Sequence, residues 1–230
     1  MIPTTLGDSD TENILPLSVK ECLHDLEDFI VENSKTARAF LKKMKIPIPQ
    51  SKLNIHVLNK HTHPEELNGF LNACRNGKNI GVISEAGCPG IADPGSEIVN
   101  IAHNENIQVI PLVGPSSILL GIMASGLNGQ SFTFHGYLPI EKSDTKRKLK
   151  DLEICSRNKN QTQVFIETPY RNKKLIDIIY KTLHGNTKLC IACDLSLKTE
   201  YIKTKTINNW KKTAQPNLNK RPCIFLIHAY

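Results

Sequence analysis

The 230-residue chain lacks any apolar run long enough to cross a bilayer. Its longer apolar segments, such as SSILLGIMASGL (residues 116–127), are broken by small and polar residues and fall short of the ~20 a helical span needs. No membrane association is expected. The first stretch, MIPTTLGDSDTENILP, has neither a basic start nor a long apolar core, so no secretory leader is expected and a cytoplasmic location is the default reading. Neither a GxxxxGK[ST] phosphate loop nor a GxGxxG dinucleotide fingerprint occurs, which weakens kinase, ATPase and ordinary dehydrogenase readings. The seven cysteines form no even framework and suit a reducing compartment. Cys190-Ile-Ala-Cys193 has metal-knuckle spacing, but no second pair stands near it, and on a strand positions three apart point to opposite faces. His61 and His63 likewise lack a third ligand at recognisable spacing, so no metal site is expected. Internal repeats and low-complexity linkers are also missing.

The charge that is present is unevenly placed. Residues 1–112 hold 10 Lys/Arg against 14 Asp/Glu, a net of −4, whereas residues 113–230 hold 19 against 8, a net of +11. Such asymmetry suggests that the C-terminal half meets a polyanion, of which nucleic acid is the usual example; a lysine-rich solvated surface is the plainer alternative.

Helix and strand patterns alternate through the first half. Helices are expected at Leu17–Leu26, at SKTARAFLKKM after Glu32 and at HPEELNGFLNACRNG. Strands are expected at DFIVEN, LNIHVLN, IGVIS and IQVIPL. The periodicities and the caps Ser34 and Pro64 carry these assignments, and alternation of this kind implies a mostly parallel sheet with crossover helices. Beyond residue 126 strands dominate: SFTFHGYLP, TQVFIET, KLCIACDL, EYIKTKTI and PCIFLIHAY. A mixed sheet is therefore expected in a second domain. The reading is a two-domain α/β protein, 1–113 and 114–230, with the boundary near VGPSS. Trp210, the only tryptophan, is expected to anchor a surface helix.

The densest signal is ISEAGCPGIADPG (residues 83–95), three glycines and two prolines directly after a strand, echoed by VGPSS (residues 113–117) after the next one. In open parallel sheets ligands bind beyond the carboxyl ends of strands. Glycine lets a ligand approach the main chain, and proline fixes the neighbouring turn. Both segments therefore read as a backbone-lined pocket, although Pro89 removes an amide that a phosphate cradle would use. Asp93, before Pro94 at a helix start, reads foremost as an N-cap, and Ser116 and Ser117 can cap the following helix while also meeting a ligand.

These residues resemble the tetrapyrrole methylase superfamily of S-adenosylmethionine-dependent methyltransferases, most closely the branch that methylates a ribose 2′-hydroxyl in small-subunit ribosomal RNA. The resemblance runs through IPTTLGD, VENSKTAR, NIGVISEAGCPGIADPGSEIV, VIPLVGPSSILLGIMASGL, FTFHGYLP, VFIETPYR and CDLSLKTE. It implies a tetrapyrrole-methylase-like fold, S-adenosylmethionine held between two α/β domains, and a homodimer. By matching positions it also implies cofactor contacts at Ser84, Glu85, Ala86, Gly87, Ile91, Gly114, Pro115, Ser116 and Ser117, with Ile166 and Asp194 from the second domain. The sequence departs from the family where Asn33, Ser34 and Lys35 replace Asp-Thr-Arg, and at Glu85 and Cys88, where Asp and Thr are commoner.

Methyl transfer from a sulfonium needs no metal or covalent enzyme intermediate, and alignment of the reactants supplies much of the acceleration. A ribose hydroxyl is a poor nucleophile, so a general base or polarising cation helps. Glu32, Lys35, Arg38, Glu85 and Glu167 stand at or just beyond strand ends and are the candidates. Lys146, Arg147 and Lys148, in the half carrying +11, are candidate RNA phosphate contacts. Arg171 either clamps a phosphate or pairs with Glu167, and Tyr137 and Tyr170 either stack on a base or complete the core rim. The leading function is methylation of ribosomal RNA or the small subunit. A methyltransferase of the same fold for a corrinoid or other small molecule, and a non-catalytic RNA- or cofactor-binding module, are the alternatives.

Overall fold

The computed structural model describes residues Met1–Tyr230, which form two compact units, Met1–Ser116 and Ser117–Tyr230. The boundary expected at 113/114 lies instead at Ser116/Ser117, which leaves the Gly114–Ser116 turn with the first unit.

The first unit contains α1 (Thr11–Ile14), α2 (Leu17–Leu23), β1 (Asp28–Val31), α3 (Ser34–Lys43), β2 (Asn54–Val57), α4 (Pro64–Phe70), α5 (Asn72–Arg75), β3 (Ile80–Ile83) and α6 (Gly95–Asn104). Its three strands are parallel in the order β2-β1-β3. All four β1 residues are buried, because each face of the strand meets a separate apolar cluster. Phe29 and Val31 pack with Val19, Leu23, Ala37 and Leu41. Ile30, on the opposite face, joins Leu67, Phe70 and Ile98. Each such buried side chain is worth ~1.5–3 kcal/mol relative to exposure. Asn33 caps α3, its side-chain oxygen accepting from Lys35 N at 2.9 Å and Thr36 N at 3.4 Å, one position before the expected cap, Ser34.

Two local expectations are corrected. The helix expected over residues 63–77 breaks at Leu71 into α4 and α5. Residues 107–112, expected as a strand, run without a ladder of their own. They lie beside the N-terminus instead: the Met1 ammonium donates to Ile110 O at 2.9 Å and Leu112 N to Met1 O at 3.1 Å. On its other side this N-terminal segment meets β3 only through the Ile2–Ile83 bridge and the Ile2 N to Val82 O bond of 2.8 Å. A neighbour pairing through so few residues cannot build the repeated bonds that define a strand.

The second unit holds α7 (Ser117–Ser125), β4 (Phe132–Tyr137), α8 (Lys142–Lys159), β5 (Thr162–Glu167), α9 (Asn172–Thr182), β6 (Lys188–Cys193), β7 (Tyr201–Thr206), α10 (Ile207–Lys211) and β8 (Cys223–His228). Its five-stranded sheet runs β4-β5-β8-β6-β7. Only β4 and β5 are parallel; the other pairs are antiparallel, the mixed sheet that the strand-rich sequence implied. Leu189, Ile191 and Cys193 alternate into one core with Phe165 and Phe225, while Cys190 stands outside it. The CxxC cysteines thus divide between the two faces of β6. Cys193 lies opposite Cys223 in register. Trp210 is buried and anchors the short helix α10, its indole N–H donating to Leu189 O at 2.8 Å.

Candidate functional site

Three segments of the first unit converge beyond the carboxyl end of β3: the Pro3–Asp8 loop, the Ser84–Gly90 turn and the Gly114–Ser116 turn. Gly87 has φ +78°, in the left-handed region that glycine adopts without strain. A Cβ placed on it would stand 3.1 Å from Pro115 O and 3.1 Å from Leu6 Cδ2. A Cβ on Gly114 would lie 2.1 Å from Pro3 Cβ, so this turn closes on Pro3 only because the residue has no side chain. Cys88 Sγ donates to Pro115 O at 3.4 Å and to Gly114 O at 3.6 Å. Thr4 N donates to Gly87 O at 2.9 Å. The two glycine-rich bends that the sequence singled out are therefore neighbours, tied by main-chain and thiol contacts within one unit.

Asp93 fixes the next turn. Its Oδ1 accepts from Gly90 N at 2.7 Å and Gly95 N at 2.9 Å, so it braces the start of α6 from one residue before the N-cap, which is Pro94 rather than the expected Asp93. Ile91 is exposed, beside Ala92 in the left-handed region at φ +63°.

Carboxylates gather around these turns. Glu32 follows β1, and burial, then the neighbouring charges of Asp93 and Glu85, raise its pKa. Glu85, exposed, accepts from Thr36 Oγ1 at 2.5 Å. The substituted Asn33-Ser34-Lys35 segment keeps local order: Asn33 caps α3, and Lys35 is exposed. Arg38 is engaged elsewhere, donating to Gln50 O at 2.5 Å.

Two buried hydroxyls in this region have no hydrogen-bond partner, Thr4 Oγ1 and Ser84 Oγ, in residues 5% and 7% exposed. Both residues line a groove of about 400 Å³ between the Thr4–Asp8 loop, α3 and Ser84–Ala86. Sequence reasoning passed over Thr4 and Thr36, although both lie in the quoted stretches IPTTLGD and VENSKTAR. Nothing in a threonine's spacing distinguishes an unpartnered hydroxyl from a bonded one.

In the second unit, Ile166 near the end of β5 is half-buried and Asp194 follows β6. Asp194 sits at φ +51°, and its Oδ2 accepts from Arg221 Nε and Thr199 Oγ1, both at 2.7 Å. Glu167 is buried and paired: Arg171 donates to it through Nε at 2.9 Å and Nη2 at 2.5 Å, and Thr168 N at 2.6 Å. Of the two roles left open for Arg171, the structure shows the pairing with Glu167. On α8, Lys146 is exposed and Lys148 half-buried, while Arg147 bonds Asp144 at 3.0 Å. Tyr137 and Tyr170 are exposed. Because residues 113–116 carry no charge, the division into −4 and +11 holds equally for the two compact units.

The architecture, a parallel α/β unit followed by a mixed-sheet unit with glycine-rich turns at strand ends, is that of the tetrapyrrole methylases. Two solved structures share it: the methyltransferase CobJ, with TM-score 0.61 and 17% identity, and the cobalamin biosynthetic enzyme cobalt precorrin-4 methyltransferase CbiF, with TM-score 0.60 and 15% identity. Each match covers 94% of this chain and 89% of the other. In sequence the chain is similar to proteins named ribosomal RNA small subunit methyltransferase I. It is 32% identical over 176 residues to the one from Buchnera aphidicola subsp. Schizaphis graminum, covering 75% of this chain and 60% of the relative. Against the one from Bacillus subtilis it is 27% identical over 210 residues, covering 90% and 67%. The chain thus spans about 60 to 67% of the length of these two relatives. No protein-family profile matches the chain.

Proposed function

We propose that the protein transfers a methyl group from S-adenosylmethionine to a ribose 2′-hydroxyl of small-subunit ribosomal RNA. The observation that carries this reading is the contact between the Gly87 and Gly114–Pro115 bends, in a chain similar to ribosomal RNA small subunit methyltransferase I proteins. The residues fit the donor. Side chains are excluded at Gly87 and Gly114, where the turns pack against Leu6, Pro115 O and Pro3, and carboxylates stand nearby to favour a sulfonium. Main-chain groups of Ser84–Gly87 and Gly114–Ser117 would hold it, with Ile91, Ile166 and Asp194 as further contacts. When bound, the donor supplies an electrophilic methyl carbon.

The chain's own residues align the acceptor and take its proton. Glu32 is the favoured base among the candidates, since Arg38 and Glu167 are committed to structural partners while Glu32 has a raised pKa, nearer the operating pH. Lys35 has an exposed ammonium and serves the RNA backbone or the developing alkoxide. The basic second unit, through Lys146, Arg147 and Lys148, meets phosphates; Arg171 joins them only by leaving Glu167. A homodimer acting in the cytoplasm completes the proposal, and no helix of the structure is long and apolar enough to cross a membrane.

The test is incubation of the protein with methyl-labelled donor and, separately, hypomethylated small subunits, free ribosomal RNA and a tetrapyrrole precursor. Label in the ribosomal substrates is the expected outcome. Label in the precursor supports the small-molecule alternative, and label in none the non-catalytic one. Gly87→Val, with a branched side chain at positive φ against Pro115 O, is expected to abolish donor binding by calorimetry while the circular dichroism spectrum is kept.

A further inference from the structure

The CxxC stretch Cys190–Cys193 is not the thiol pair that the fold makes. Cys193 enters the core that holds Phe165 and Phe225, and Cys190 stands outside it, as positions three apart on a strand must. The partner of Cys193 is Cys223, directly opposite it on the antiparallel neighbour β8. Both side chains enter the same core, and both carry free thiols.

The ladder sets their separation. Asp194 N donates to Pro222 O at 3.0 Å, one residue beyond Cys193 and one before Cys223, so the two cysteines themselves occupy a non-hydrogen-bonded pair. In such a pair the Cα atoms stand ~4.5 Å apart and the side chains approach most closely. A disulfide needs Cα atoms about 4.4–6.8 Å apart. The backbone therefore already holds the two sulfurs where a bond closes with little movement of either strand.

The surroundings divide the roles. The hydrogen bond from Cys223 is the foremost influence on Cys193 and lowers its pKa, and the Arg221 charge lowers it too, against burial. Cys223 is raised, first by giving that bond and then by burial. Cys193 is thus the sulfur favoured as thiolate, the nucleophilic form. Asn172 Nδ2 donates to Cys223 Sγ at 3.3 Å, and Asp194 Oδ2 holds Arg221 Nε beside the pair at 2.7 Å. Cys193 is 0% and Cys223 6% exposed, which closes the pair to any reagent much larger than water.

We propose that Cys193 and Cys223 form a modification site, a reversible disulfide made by a small peroxide. The Cys193 thiolate attacks one oxygen of hydrogen peroxide, the O–O bond breaks, and the departing hydroxide takes up the proton that Cys193 lost. The Cys223 sulfur then attacks the Cys193 sulfenic acid. As the S–S bond forms the S–O bond breaks, and the released hydroxide leaves with the Cys223 proton as a second water. The two sulfurs have given up two electrons, and the peroxide has taken them. The link closes the segment 194–222, which carries β7 and α10, and an external thiol reopens it by exchange.

The test treats the native protein with hydrogen peroxide, removes the peroxide, and unfolds the protein in denaturant containing maleimide before peptide mapping. Expected are a link between the Cys193 and Cys223 peptides, loss of both thiols to maleimide, and recovery of both after dithiothreitol, with the circular dichroism spectrum unchanged by oxidation. A link joining Cys190 to Cys193, full maleimide labelling of Cys193 and Cys223, or their oxidation to separate sulfinic acids overturns the inference. So does a Cys193–Cys223 link that forms only when peroxide is added after unfolding, since the native register would then not be what brings the sulfurs together. None of these outcomes bears on methyl transfer, which stands or falls by its own assay.

Discussion

Ionising Glu32 is disfavoured where the fold puts it, because burial strips water from the carboxylate and Asp93 and Glu85 add like charge. Its folded pKa is raised above the unfolded value. Below the unfolded value both states hold the proton and no stability is lost; as pH rises the unfolded chain ionises first, so the native state loses ground until Glu32 also ionises. At neutral pH that penalty is present in full. Glu32→Gln is therefore expected to raise the melting temperature at pH ~7, and to leave it unchanged at pH ~3.5, below the ordinary glutamate value. Methyl transfer should fall by about 10²-fold or more if Glu32 is the base. Stability and activity moving in opposite directions is the signature of a group placed for chemistry rather than for folding. Equal melting curves at neutral pH would refute the electrostatic account.

At the scale of elements, the basic positions of α8 are separable from the site in the first unit. Lys146 has no ion-pair partner and Lys148 none, whereas Arg147 is shared with Asp144. The double variant Lys146→Ala, Lys148→Ala is expected to weaken RNA binding and to reduce the slope of log affinity against log salt by ~0.7 for each phosphate no longer neutralised. Neither donor affinity nor melting temperature should change, since neither lysine is buried or ion-paired and such positions contribute little to stability. An unaltered salt slope would show that α8 is a solvated face. Elements were readable where their pattern is internal: β1, α3, β6 and β8 form where apolar spacing places them. Residues 107–112 were not, because a strand exists only when a neighbour supplies its bonds, and the neighbour here pairs through Ile2.

For the whole molecule, the separation of −4 from +11 between the two units predicts that RNA affinity is steeply salt-dependent. If about six to ten phosphates are neutralised, affinity should fall by about 10³-fold to 10⁵-fold between about 50 and 200 mM salt. Donor affinity, read by calorimetry over the same range, should change far less, because the proposed cradle acts through main-chain contacts at short range. Flat RNA binding across that range would remove the nucleic-acid argument that charge carries.

Charge, alternation and the two glycine-proline segments are properties of the string, and they determined the α/β class, the two-unit division and the places of the two glycine-rich bends. They did so because steric permission and hydrophobic period act within a few residues. Tertiary structure alone decided which distant atoms meet. It brought Gly87 against Pro115, spent Arg171 on Glu167, buried Trp210, and left the hydroxyls of Thr4 and Ser84 buried with nothing to bond. Whether a polar group is satisfied depends on every neighbour that folding delivers, and no spacing rule in one dimension contains that sum.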